Sequence, residues 1–411
     1  MSLGFLSGQL DIWHIFRFRE ALNRVSNLRI CFVCQSLAGL GGLQRAVALL
    51  ANELVSRGVD VSVLMDTPEL GENPYGLSSD VSILPVGIKG ASKPLGKLVS
   101  KVRRHSGLLK PICHEHSLGG SVIDKKSLAA VHEALKEGRF DVVVGCDPLH
   151  TIVAVYACDG LSIDVCGWQH STYDGYFNQS GRGFYGQDCL YAFALRRCKV
   201  NFVLTEQSKE VYELHTGHSA IVLPNSIVNM GTRGYAENCV LYCGRLDPGS
   251  KGADYIPRIA EALAVRGFAG EFLVVGDGPY LPSLEEWLED ARLPFKMELK
   301  GFVTDAERYY EQATVLISPS RWEGFGLSIL EAMSHGVPCV AFENDGPCSL
   351  IDDPVDGLIV PNGDVESLAE RTMEILGDER LRRSMGDAAV EAARGYLVGA
   401  QADRFLESLK G

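Results

Sequence analysis

At 411 residues, with 46% hydrophobic and 22% charged content, the chain has the composition of a folded globular protein. It is long enough for two domains of about 200 residues, each with its own core. A formal net charge of −13 argues against nucleic acid as a partner, because phosphate backbones are held by basic surfaces.

Along the chain, residues 3 to 24 combine Phe5, Leu6, Ile12, Trp13, Ile15, Phe16 and Leu22 with Arg17, Arg19 and Arg24, the mix of an amphipathic lead helix within 1–27. No run of about 18 apolar residues is present. The N-terminus lacks the charged start, apolar stretch and small-residue cleavage site of a secretory signal, so the expected location is the cytoplasm. Leu28-Arg29-Ile30-Cys31-Phe32-Val33 reads as a buried strand, followed by Gly39-Leu40-Gly41-Gly42, a helix from Leu43 to Ser56 and a strand from Val59 to Met65. That is a βαβ unit. Further strands are predicted at Asp141 to Gly145, Ile163 to Trp168, Val200 to Thr205 and Ile221 to Leu223. A second series starts at Cys239 to Tyr242 and continues at Phe272 to Val275, Met297 to Phe302, Val315 to Ser318, Pro338 to Phe342 and Leu358 to Val360. The pattern predicts two doubly wound α/β halves, 1–225 and 226–396, with the boundary where polar and Gly residues interrupt it between Pro224 and Asn238. From Ser367 the chain reads as helical to its end, with 397–411 as the last helix.

The sequence has twelve cysteines, scattered through strand-like runs. Cys31 and Cys34 form C-x-x-C, but inside a single predicted strand and with no second pair at ligand spacing, which favours reduced core thiols over a metal or redox centre.

Chemistry concentrates in Arg321-Trp322-Glu323-Gly324-Phe325-Gly326-Leu327-Ser328-Ile329-Leu330-Glu331-Ala332-Met333. A strand, a Gly-containing loop and a helix start follow one another here. The unpaired N–H groups of the first helical turn and the helix dipole favour an anion, and a diphosphate is the natural guest. Glu331 falls more than a turn inside the helix, where a carboxylate can accept two ribose hydroxyls, and Glu323 lies on the loop nearer the sugar. Arg321 and Trp322 precede it and are read as shaping the sugar pocket. Taken alone, one glutamate is better explained as structural, beside a buried helix.

Glu323 and Glu331 stand eight positions apart, the E-x7-E spacing. Together with Tyr242-Cys243-Gly244-Arg245-Leu246, Lys251-Gly252, Val274-Val275-Gly276-Asp277-Gly278-Pro279 and the run from Glu331 to Ala341, this resembles the retaining GT-B glycosyltransferases of family 4. The resemblance is dense over 238–375 and scattered before it. It implies GT-B architecture, two Rossmann-like domains facing across a cleft, with the helix at 397–411 crossing back to the N-terminal domain. It also implies roles. Arg245 and Lys251 would stabilise the leaving diphosphate in place of a metal, and Glu323 and His170 would position the transferred hexose. Glu331, Gly324, Phe325, Gly326, Leu327, Asp277, Gly41 and Gly42 would bind the donor, the last two letting diphosphate and acceptor approach the backbone closely. Ser171, Ser226 and Ser349 depart from the family's usual residues, and the loop Asp247 to Ser250 is one residue longer than common.

The implied partners are a UDP- or GDP-sugar and a glycan or lipid-linked oligosaccharide of bacterial surface-polysaccharide synthesis, with no cofactor and no metal. The alternatives are a sugar-nucleotide epimerase and a non-catalytic partner subunit of the same fold. A hydride-transfer enzyme, suggested by the glycine loop and by Asp66 after the second strand, fails at Gln44, where G-x-G-x-x-G requires glycine. Lys89, Lys93, Lys97, Lys101, Arg103, Arg104 and Lys110 fall in a stretch with no Asp or Glu, which predicts peripheral contact of residues 89–110 with anionic lipid at the inner face of the cell membrane.

Overall fold

The computed structural model describes residues 28–38, 41–67, 75–88, 123–178, 184, 188–234 and 238–410. The lead segment 1–27, Gly39 and the basic stretch 89–110 lie outside the described residues. The chain forms two compact units, one of Met1–Gln169, Ser180–Phe202 and His215–His218, the other of His170–Gln179, Val203–Leu214 and Ser219–Gly411.

Among the described residues the first sheet has seven strands: β1 (Arg29–Cys34), β2 (Asp60–Met65), β3 (Ser82–Pro85), β4 (Val142–Gly145), β5 (Asp164–Trp168), β6 (Val200–Val203) and β7 (Ala220–Val222), in the order β3-β2-β1-β4-β5-β6-β7. Strands β3 through β6 pair in parallel. Helices α1 (Gly42–Ser56), α2 (Lys125–Gly138) and α3 (Pro148–Ala157) connect or flank them. β3 is absent from the expected strands because its Ser-Ile-Leu-Pro sequence is short, half-exposed and ends in a residue that cannot donate to a ladder. At an edge these features are tolerated.

The second sheet has six strands, β8 (Cys239–Cys243), β9 (Glu271–Val275), β10 (Lys296–Gly301), β11 (Val315–Ser318), β12 (Cys339–Phe342) and β13 (Gly357–Val360), all parallel, ordered β10-β9-β8-β11-β12-β13. Apart from β10 at the edge, whose Lys-Met-Glu-Leu-Lys-Gly is half-exposed, its strands read as apolar runs because both faces are covered. Val240, Tyr242, Phe272, Val274, Val315 and Ile317 enter one buried cluster, and Leu241, Leu273, Val275, Leu316 and Ala341 enter the other.

Both sheets reverse their strand order once, between β1 and β4 and between β8 and β11. Such switch points open a crevice at the carboxyl ends of the strands, because the connections on either side lead away from each other. The C-terminal part is helical from Val365 rather than from Ser367, and it is broken rather than continuous. Asp364 and Asp378 accept backbone N–H bonds as N-caps, so each starts a new helix, and the last, Val398–Ser408, begins after Leu397 has paired with Ile227. Among the described residues, no helix is long and apolar enough to cross a membrane.

Candidate active site

The candidate site of the second unit lies at the switch point between β8 and β11. Beyond β11 the chain runs through Pro319 to Glu323 and turns at Gly326, whose φ of 101° favours glycine, into a helix at Leu327–Ser334. Phe325 is buried at 2% exposure and anchors the turn in the core. The loop is held on two sides by backbone. A Cβ on Gly324 would lie 3.0 Å from the His170 carbonyl oxygen and 3.1 Å from Ser171 Cα, and one on Gly346 would lie 2.8 Å from Glu323 Cγ. The Gly346 N–H donates to the Glu323 carbonyl at 3.0 Å. Half-buried His170 therefore stands next to the Glu323 loop.

Lys251 forms an ion pair with Glu323, whose side chain is only 15% exposed. The turn carrying Lys251, Pro248–Lys251, starts at Asp247, which accepts from the Gly249 N–H at 2.9 Å and the Ser250 hydroxyl at 2.7 Å. It ends at Gly252, where φ is 63° and a Cβ would sit 2.0 Å from the Pro319 carbonyl oxygen. The Arg321 and Trp322 N–H groups donate back to the Ser250 carbonyl at 2.8 and 3.4 Å. Arg321 braces the loop from within the fold. Its guanidinium is committed to both oxygens of Asp254, at 2.6 and 2.7 Å, and stacks 4.2 Å from the Tyr255 ring. The Arg321 hydrogen bonds hold the Asp254 carboxyl below the usual carboxylate range. This fork joins the two loops that present Lys251 and Glu323.

Glu331, the fifth residue of its helix, accepts a hydrogen bond from the Tyr310 hydroxyl at 2.7 Å. Tyr310 is 1% exposed, and burial, together with Cys243 and Glu331, pushes its phenol well above the ordinary value. His335 packs against the Tyr310 ring at 5.4 Å, and its Nδ1 donates to the Glu331 carbonyl at 2.8 Å. Tyr310 was not among the expected site residues. Its signal was a tyrosine doublet in a short amphipathic segment, where a buried hydroxyl requires a partner.

Arg245 is exposed and only 3.4 Å from Asp247, a contact weak enough to leave its guanidinium available. Exposed Asp277 accepts from the Gly278 N–H at 2.7 Å. The glycines around it are there for close backbone approach: a Cβ on Gly276, at φ 139°, would lie 1.9 Å from the Gly244 carbonyl oxygen, and one on Gly278 2.5 Å from that of Leu246. Burial and nearby Asp174 hold the Asp345 carboxyl above its usual range, beside Gly346. The structure thus gathers Glu323, Lys251, Gly324, Phe325, Gly326, Leu327, Glu331, Arg245, Asp277 and His170 in one unit. Gly41 and Gly42 belong to the other unit. There Gly41 precedes α1 with extended backbone, φ −164°, and a Cβ would meet only the Gln44 side chain, so local conformation does not require glycine. Among the described residues, no group of three His, Cys, Asp or Glu side chains is placed to hold a metal ion.

Comparison with known proteins matches residues 40–228 to Glycosyltransferase Family 4 and residues 237–378 to Glycosyl transferases group 1. A Campylobacter jejuni α-1,4-N-acetyl-D-galactosaminyltransferase, named for a diphosphoundecaprenol-linked substrate, is 24% identical over 92% of this chain and 98% of its own. An exopolysaccharide phosphotransferase of Streptomyces coelicolor is 34% identical over 48% of this chain. The chain spans 21% of that protein's length, and no more than 43% of the two relatives of next highest similarity. Among solved structures, Staphylococcus aureus TarM in complex with UDP, α-GlcNAc-glycerol and fondaparinux superposes with a TM-score of 0.73 at 16% identity, covering 93% of this chain and 100% of that one.

Proposed function

The chain belongs to the family 4, group 1 glycosyltransferases of GT-B fold, and we propose that it moves a hexose from a UDP- or GDP-sugar, with retention, to a glycan or lipid-linked oligosaccharide of bacterial surface-polysaccharide synthesis. The observation that carries this reading is the pairing of Lys251 with Glu323 on two loops fixed by Arg321, with Glu331 held by Tyr310 on the helix that follows. In this reading Glu331 accepts the ribose hydroxyls and the backbone from Gly324 to Leu327 faces the diphosphate. Arg245 and Lys251 meet the negative charge that develops as the nucleoside diphosphate leaves, where preorganised cations act most strongly. Glu323 and His170 position the sugar, and the leaving phosphate takes the acceptor's proton. No resident cofactor or metal has a role in this scheme. The UDP complex and the lipid-linked substrate named for the relatives support the donor and acceptor classes.

A thermal-shift panel with UDP, GDP, ADP and NAD tests the donor class. A ligand at a hundred times its Kd adds about 2.7 kcal/mol of stability, so UDP or GDP is expected to raise Tm clearly. A shift with NAD alone would overturn the reading. No shift with any of them would favour the non-catalytic subunit. Transfer without change of the donor's anomeric configuration, followed by NMR of the product, tests retention, and sugar-nucleotide isomerisation without an acceptor would point to the epimerase.

A further inference from the structure

The carboxyl end of the first sheet carries a charged group that the donor chemistry leaves unused. His150 is 2% exposed, in the first turn of α3, with Asp147 as the N-cap of that helix. Its Nδ1 lies 2.7 Å from Asp147 Oδ2 and its Nε2 3.2 Å from Asp66 Oδ1. Carboxylate oxygens of ionised Asp only accept, so both ring nitrogens donate and the ring is an imidazolium. Burial alone would depress its pKa, but Asp147 and Asp66 outweigh burial and push it to about 10. The Cys34 thiol at the end of β1 is near both carboxylates and the Cys146 thiol just after β4 is near Asp147, and burial pushes both thiols up.

The placement gives this triad a purpose. Asp66 follows the last residue of β2, and Asp147 comes two residues after β4. β1 lies between those strands, with Cys34 paired to Met65 and Val33 to Gly145. The carboxylates therefore stand on either side of the point where β1 ends and the chain departs toward Gly41. The root of that departure is tied to the same group: the Asp66 N–H donates to the Gln35 carbonyl at 3.1 Å, and the Leu37 N–H reaches Met65 Sδ at 3.3 Å. With both nitrogens engaged and no access to solvent, His150 cannot pass a proton to a substrate. A buried ion triad is also a poor source of stability compared with apolar packing, so its worth lies in the geometry it imposes.

We propose that His150 is a positioning residue for the transfer reaction, tying Asp66 to Asp147 across the exit of β1 and thereby setting the root of the loop that leads to Gly41. The reaction named here rests on the glycosyltransferase reading, whereas the clamp does not. The test uses the full-length chain, with His150→Gln and, as the milder change, Asp66→Asn. Hydrogen exchange followed by mass spectrometry is expected to speed at least tenfold in peptides covering Gln35 to Ala38 and Asp66 in both variants, with β8 and β9 unchanged. Unaltered exchange at those sites, or uniform acceleration throughout the first unit, overturns the clamp. Nitrogen-15 spectra of labelled histidine should show both His150 ring nitrogens protonated at about pH 8, and a neutral ring there overturns it too. With polyprenyl-diphosphate oligosaccharide as acceptor probe, kcat/KM for the acceptor should fall at least tenfold in both variants, whatever Kd they show for UDP or GDP, since the glycine loop is read as meeting donor and acceptor alike. Wild-type acceptor kinetics overturn the positioning role. A wild-type chain that binds neither nucleotide overturns the glycosyltransferase reading instead, and the exchange experiment then decides the clamp alone.

Discussion

Glu331 owes its orientation to Tyr310, a residue 21 positions earlier that only the fold brings to it. Removing that hydroxyl takes one hydrogen bond from the carboxylate, so Tyr310→Phe should weaken UDP or GDP binding by about tenfold, the scale of one hydrogen bond to a charged group. Glu331→Ala should weaken it further by isothermal titration. In the proposed reaction the Glu323 carboxylate acts on the sugar in the transition state, so Glu323→Gln is expected to leave nucleotide affinity nearly unchanged and to lower kcat by about a hundredfold. Equal effects of Glu323→Gln and Glu331→Ala on nucleotide affinity would contradict that division of labour. Arg321 behaves differently, since its partner is Asp254 rather than a substrate. Asp254 has a folded-state pKa below its unfolded value, so the pair contributes stability above the unfolded pKa and loses it as pH falls through the folded one. The Tm difference between wild type and Arg321→Met should therefore narrow from about pH 5 down to about pH 3.

At the scale of elements, the loops after β8 and β11 meet through glycine. Gly252 has a left-handed φ of 63° and no room for a Cβ beside the Pro319 carbonyl, so a side chain would push the Lys251 turn away from Glu323. Gly252→Ala is expected to cost about 1–3 kcal/mol, visible as a lower Tm, and to reduce turnover with it. A variant with wild-type Tm would show that the two loops do not need this contact. Gly276 plays the same part between the exits of β8 and β9. The strands themselves were legible as apolar runs because both faces of a parallel sheet are buried. β3, half-exposed at an edge, was not, and the helices after Val365 were legible in type while their breaks depended on the capping aspartates.

For the whole molecule, two sheets with the same reversal of strand order provide two crevices of different charge. At β8/β11 lie Arg245 and Lys251, and at β1/β4 lie Asp66 and Asp147 around a buried imidazolium. Residues 89–110, basic in a chain of net charge −13, remain our proposed lipid contact. Each basic residue near an anionic surface contributes about 1 kcal/mol. Co-sedimentation with phosphatidylglycerol vesicles should accordingly be strong at low salt and fall as salt is raised or as these lysines are replaced by glutamine. Binding to neutral vesicles alone would refute it.

Sequence alone determined the two series of alternating strands and helices, and the place of Arg245 and Lys251 after β8, of Glu323 after β11 and of Glu331 in the helix that follows. Burial pattern and glycine spacing are local properties, and a run of residues carries them whether or not it is folded. What only the tertiary structure decided was partnership: Lys251 with Glu323, Arg321 with Asp254, Tyr310 with Glu331, and His150 between Asp66 and Asp147. These pairs join residues up to 84 positions apart. Their distances are set by which strands lie side by side, and no local pattern in the chain encodes that.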